Sequence, residues 1–268
     1  MIRSPIGIRL LPDPDQAVKD QLRQAARLGA KGIVLDAAGD LNPSRLSDTG
    51  RRDFRHALRT VEVSLTALSL PTRRPFDTDD QLDDRLAKAD SAFTLAFDLG
   101  AKLVLARVGA VPPESDPPRR ALFTHALHEL GRRADHRGVR LAIETGTESG
   151  ADLRAFLDTL GQPGLAASLD PGFLLRMGHD PIEAARALGP LVAHAYARDA
   201  SSASDLGPSS AFSLHPRGFG FPSGVLDWEE YLGSLEEIAY DGFLTIWPDP
   251  ERPVAPQFQA LSDRFARF

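Results

Sequence analysis

Short apolar runs alternate with longer stretches of helical spacing from one end of the chain to the other. The runs are IGIRL (6–10), GIVLD (32–36), EVSLTALSL (62–70), KLVLARV (102–108), VRLAIE (139–144), LAASLD (165–170), LVAHAYARD (191–199) and GFLTIW (242–247). Short β-branched or aliphatic runs of this kind read as strands. Between them, DQAVKDQLRQAARLGA repeats apolar residues at three and four through Val18, Leu22, Ala25, Ala26 and Leu28. DDRLAKADSAFTLAFDLGA does the same through Leu86, Ala89, Phe93, Leu95, Ala96 and Leu99, and closes on Gly100 as a helix stop. RRALFTHALHELGRRADHRG and DWEEYLGSLEEIAYDG follow the same rule.

Eight strands with helices between them predict one (β/α)8 barrel domain over residues 1–268. A doubly wound open sheet is the structural alternative. Against it, no GxGxxG follows the first strand, where RLLPDPD stands instead. One connection breaks the rhythm. Residues 200–226 are rich in Ser, Gly and Pro and show no period. They follow the seventh strand, on the C-terminal face where barrel active sites are built.

Composition narrows the chemistry. The chain has 268 residues, 42% hydrophobic and 25% charged, the balance of an ordinary globular domain. It contains no cysteine, which removes disulfides, thiolate nucleophiles and Cys-based zinc sites. A net charge of -6 argues against general binding to nucleic acid or anionic membrane. No run reaches the roughly 18 apolar residues of a membrane span. The apolar run before Pro12 is too brief for a signal-peptide core, so a cytoplasmic location is the default expectation.

In a barrel, the last inward residue of each strand builds the floor of the mouth. Those positions read Arg9, Asp36, Ser69 or Arg73, Arg107, Glu144, Asp170, Tyr196 and Trp247. Charges at the ends of apolar strands are expensive unless paired or used. Arg9 and Asp36 can pair across neighbouring strands, a structural role. Arg107, flanked by VLA and VGA, must pair with a carboxylate or bind an anion. Glu144 and Asp170 end adjacent strands and would repel unless a proton, a metal or an arginine lies between them. Their plain alternative is to accept backbone N–H bonds at the loop starts.

LAIETGTESG, SLDPG, VAHAYARDA and EEIAYDGFLTI together resemble, in order and spacing, the sugar phosphate isomerase/epimerase family with the xylose isomerase-like barrel. AARLGAKGIVLD and AFDLGAKLVLARVG extend the resemblance over nearly the whole chain. The barrel is also similar to that of abasic-site endonucleases. The resemblance implies a divalent metal (Mn, Mg or Zn) held by a Glu after strand five, an Asp after strand six, a His on strand seven and a Glu after strand eight. Glu144 and Asp170 match the first two. The expected His falls on Tyr196 and the expected final Glu on Trp247. Half of the ligand set is therefore replaced, and Trp247 has no group that can ligate.

The histidines offer little rescue. His194 shares inward parity with Tyr196 but lies one layer, roughly 6.6 Å, deeper, which suits a core role. His215 lies in the long connection, and His179 follows Asp170 on the approach to a helix. His56, His125, His128 and His136 fall within helical patterns and read as surface. Arg73, Arg74, Arg107, Arg198 and Arg217 would ring the mouth, suiting a phosphate or carboxylate or simply balancing the acids.

Two functions follow from the resemblance and the residues. The first is an isomerase or epimerase of a sugar or sugar acid, with Glu144 and Asp170 as acid/base or metal pair. Arg73, Arg107, Arg198 and Arg217 would hold an anionic group. The second is a metal-free sugar-binding or regulatory barrel in which Tyr196 and Trp247 form an aromatic platform or plug the mouth. Abasic-site nuclease chemistry needs a multi-metal cluster rich in histidine, and the sequence offers too few inward histidines for it. The expected partner is a small carbohydrate or anionic sugar derivative.

Overall fold

The computed structural model describes residues 4–13, 15–200, 219–220, 224–249 and 252–265, with 219–220 described as backbone only. Its strands are β1 (Ile6–Arg9), β2 (Gly32–Asp36), β3 (Ser64–Ser69), β4 (Leu103–Ala106), β5 (Arg140–Glu144), β6 (Leu165–Leu169), β7 (Val192–Ala197), β8 (Asp199–Ala200), β9 (Phe219–Gly220) and β10 (Leu244–Ile246). Eight of them close into a parallel barrel in the order β1-β10-β7-β6-β5-β4-β3-β2. The expected (β/α)8 barrel is the observed fold. At the start of the 200–226 connection, β8 pairs antiparallel with β9 through Asp199 with Gly220 and Ala200 with Phe219. That pairing has no sequence period because each strand is two residues long. Residues 201–218 and 221–223 lie outside the described residues.

The helices are α1 (Val18–Arg27), α2 (Asp48–Thr60), α3 (Leu82–Leu99), α4 (Pro117–His136), α5 (Gly150–Leu160), α6 (Pro171–Arg176), α7 (Pro181–Leu188), α8 (Trp228–Glu237) and α9 (Val254–Phe265). Asp-Pro dipeptides start three of them. Asp116, Asp170 and Asp180 accept backbone N–H bonds from the first turns of α4, α6 and α7, with the following proline in the opening helical turn. At the other end, Gly100 stops α3 at φ 89°, a left-handed conformation that a side chain would strain.

Two apolar layers result. The outer one packs the helices against outward strand residues such as Ile33, Leu68, Val104 and Leu141. The inner one fills the barrel with Val34, Ala67, Leu105, Ala142, Ala166, Tyr196 and Trp247. Three of those seven are alanines, so much of the interior volume falls to the two rings. Both cluster with Arg9 at the C-terminal mouth.

Candidate functional site

The tips of β5, β6, β7 and β10 are neighbours in the barrel and bring Glu144, Asp170, Tyr196 and Trp247 together. Arg107, just past the end of β4, lies between the two acids. Its Nε donates to Glu144 Oε2 at 3.1 Å, and its Nη2 is 3.9 Å from Asp170 Oδ2. Arg198 donates to Asp170 Oδ2 at 2.7 Å. From β1, Arg9 donates to the Tyr196 hydroxyl at 2.8 Å, to Asp36 Oδ1 at 2.8 Å and to Ser69 Oγ at 2.9 Å. Its Nη1 also lies 3.5 Å from Glu144 Oε1. The Tyr196 hydroxyl donates onward to Glu144 Oε1 at 3.1 Å.

Three guanidinium groups thus meet three carboxylates, Asp36, Glu144 and Asp170, in one network that is buried except at half-buried Asp36 and Arg107. The neighbouring acids have an arginine between them, one of the three solutions open to such a pair. Burial alone would raise the Glu144 pKa, but Arg107 and Arg9 outweigh it and hold the carboxyl below its ordinary value. For Arg9, burial opposes the charge while Tyr196, Asp36 and Glu144 together raise its pKa. Burial pushes the Tyr196 hydroxyl well above its ordinary range, so it stays a neutral donor. Asp170 has a second job: its Oδ1 accepts the Phe173 N–H at 3.0 Å and caps α6.

Trp247 is wrapped by cations. The guanidinium carbons of Arg9 and Arg198 lie 4.1 and 4.0 Å from the indole centroid, and the Tyr196 ring is 5.0 Å away. Tyr196 is 0% exposed and Trp247 7%. Both rings are therefore packed into the mouth rather than laid open on it. Arg107 in turn stacks on Phe173 at 4.5 Å. Gly146, at φ 130°, leaves room for that ring, because a Cβ there would sit 1.9 Å from Phe173 Cδ1.

One layer deeper, His194 Nδ1 bonds Ser168 Oγ at 2.8 Å and Nε2 bonds Thr245 Oγ1 at 3.0 Å. Burial lowers its pKa to about 3, so it is a neutral core residue. His56, His125, His128 and His136 are exposed, as their helical spacing predicts. His179 is half-buried between α6 and α7. His215 and Arg217 lie outside the described residues.

Of the two candidates given for the end of β3, Ser69 and Arg73, Arg73 is the one outside the network. It is exposed and takes no part in the network, because the inward tip of β3 is Ser69 and the chain has left the barrel four positions later. Its neighbour Arg74 pairs with Asp80. Two participants carried no sequence signal. The Thr145 hydroxyl accepts the Asp170 N–H at 2.9 Å, and Phe173 supports Arg107.

The donor set fits a divalent metal poorly. Among the described residues, no group of three or more His, Cys, Asp or Glu side chains converges as a metal site. Glu144 and Asp170 are engaged by guanidinium groups, Tyr196 uses its proton on Glu144, and indole has no lone pair to offer. A cation here would compete with the guanidinium groups for the same carboxylate oxygens.

Known proteins place this geometry in a family. Residues 22–264 match the sequence profile of the xylose isomerase-like TIM barrel. An uncharacterised Bacillus subtilis protein, YfiH, is 27% identical over 215 residues, 68% of each chain. A xylose isomerase domain protein from Planctomyces limnophilus superposes with a TM-score of 0.79 at 23% identity, covering 98% of this chain and 95% of its own. A D-allulose 3-epimerase from Methylomonas sp. superposes with a TM-score of 0.74 at 17% identity, over 100% and 99% of the two chains. This chain, with its arginine-filled mouth, belongs to the xylose isomerase-like TIM barrel family.

Proposed function

We propose that this barrel binds a small sugar or sugar acid at its C-terminal mouth without a divalent metal, and that the arginine network has replaced the metal's charge. The observation that carries the reading is the placement of Arg107 between Glu144 and Asp170, with Arg9 and Arg198 completing the neutralisation. Guanidinium groups hold carboxylates and hydroxyl oxygens in fixed directions and cannot be chelated away. Sugar epimerases among the structural neighbours support the ligand class.

A second reading keeps isomerase or epimerase chemistry on the same ligand, with Glu144 as proton acceptor. The ionised state that Arg107 and Arg9 impose on Glu144 favours it. The same interactions make Glu144 a weak base, since a general base works best with a pKa near the operating pH. Its oxygens already accept from Tyr196 and Arg107. Binding without turnover is therefore the preferred reading.

The test is calorimetric titration with a panel of aldoses, ketoses and sugar acids, run in EDTA and again in excess Mn²⁺. Binding of the same strength in both buffers, with no deuterium entering the ligand from D₂O by NMR, is the expected result. Affinity that needs Mn²⁺ would overturn the metal-free reading. Deuterium incorporation abolished by Glu144→Gln would establish the enzyme reading instead.

A further inference from the structure

The first and last βα units meet at a seam beside the mouth, and the seam holds a cleft of about 390 Å³. Small-molecule sites typically occupy about 300–1,000 Å³. Leu11, Leu28 and Val254 give the cleft apolar lining, and Asp13, Gln16, Gln24 and Arg252 polar lining.

Two buried glutamines hold its walls. Gln21 Nε2 donates to the Leu11 carbonyl at 3.1 Å and fixes the loop after β1. On the other side, Gln257 Oε1 accepts the Asp249 N–H at 2.8 Å, and its Nε2 donates to the Asp249 and Arg252 carbonyls at 3.2 Å each. Side-chain amides committed to loop backbone shape the cleft before any ligand arrives, which lowers the ordering cost of binding.

Arg9 belongs to both places. It lines the cleft, while its Nη atoms bind Tyr196, Asp36 and Ser69 in the mouth. Its Nε is buried with no hydrogen-bond partner among the described residues. A buried guanidinium N–H left unbonded is the kind of group that ligand hydroxyls satisfy.

We propose that this cleft is a second glycosyl subsite, so that the ligand is a disaccharide acid or glycoside spanning mouth and cleft across Arg9. The proposal rests on the mouth holding a sugar or sugar acid. A pyranose unit presents C–H faces that suit Leu11, Leu28 and Val254, and hydroxyls that both donate and accept, as side-chain amides do. A second anionic group fits less well, because Arg252 in the lining is already 3.5 Å from Asp249.

The experiment is calorimetric titration of the full chain with gluconate and with lactobionate, a disaccharide acid. It compares the unmodified protein with a Gln16→Ala/Gln24→Ala double variant and with Leu28→Trp, which fills the cleft. Gln16 is half-buried and Gln24 exposed, so the double variant leaves the core intact. The expected result is lactobionate binding about tenfold tighter than gluconate, a gain lost in both variants while gluconate is unaffected. Equal affinities, or a gain that survives both variants, would overturn the subsite. Variant-sensitive lactobionate binding without gluconate binding would keep a glycosyl site in the cleft but overturn the mouth reading and, with it, the spanning ligand. Absence of binding by either would remove both.

Discussion

Glu144 and Asp170 are neighbouring carboxylates that would repel each other without positive charge within a few ångströms, and Arg107 reaches both of them. Arg198 pairs with Asp170 and Arg9 with Asp36, so the three guanidinium groups balance the three carboxylates. Removing one member of such a buried network typically costs about 3–5 kcal/mol, because the partner is left as an uncompensated charge. His194 below it behaves differently. Its folded pKa of about 3 lies far below the roughly 6.5 of an unfolded chain. A depressed histidine favours the folded state fully above the unfolded pKa, and its contribution fades as pH falls from about 6.5 toward 3. Glu144, also depressed, loses its contribution only as pH falls below the unfolded carboxylate value of about 4.3. Urea midpoints should therefore drop between pH 6.5 and 4.5, and a His194→Asn variant should show a smaller drop over that interval. An unchanged drop in the variant would show that His194 is not the titrating group.

At the scale of elements, the inner faces of β3, β5 and β6 contribute Ala67, Ala142 and Ala166, and the inner faces near β7 and β10 contribute Tyr196 and Trp247. The small and large residues are complementary: the rings fill what the alanines leave. Trp247→Ala should lose roughly 3–5 kcal/mol through the cavity it opens, and Trp247→Phe distinctly less, by chemical denaturation. A Trp247→Ala loss below about 1 kcal/mol would mean the indole is not packed in the mouth. The strand tips were legible in the sequence because the period of two places every inward residue from the apolar run alone. Arg9 with Asp36 was readable for the same reason, since both are charges at the ends of apolar strands. Between Ser69 and Arg73 the pattern did not decide, because Arg73 lies past the end of β3, where that period no longer applies. Phe173 and Thr145 were invisible, since α6 begins directly after Asp170 and the contacts are set by a six-residue helix with no apolar repeat of its own.

For the molecule as a whole, the eight-strand barrel followed from alternation and from glycine helix stops, because each apolar run is long enough to be a buried strand and little else. Family membership agrees across residues 22–264. Longer-range features did not show in the pattern. The β8–β9 pair and the cleft between the first and last units depend on residues more than two hundred positions apart or on two-residue strands. The charge balance of the mouth was only half legible: the residues were identifiable, but which guanidinium meets which carboxylate is decided by the barrel's strand order and stagger. Calorimetric titration of Mn²⁺ into chelator-stripped protein tests the central claim most directly. A mouth already neutralised by Arg9, Arg107 and Arg198 predicts no saturable binding tighter than about 1 mM, corresponding to roughly 4 kcal/mol. One Mn²⁺ per chain bound at micromolar affinity, and lost in a Glu144→Gln/Asp170→Asn variant, would contradict it.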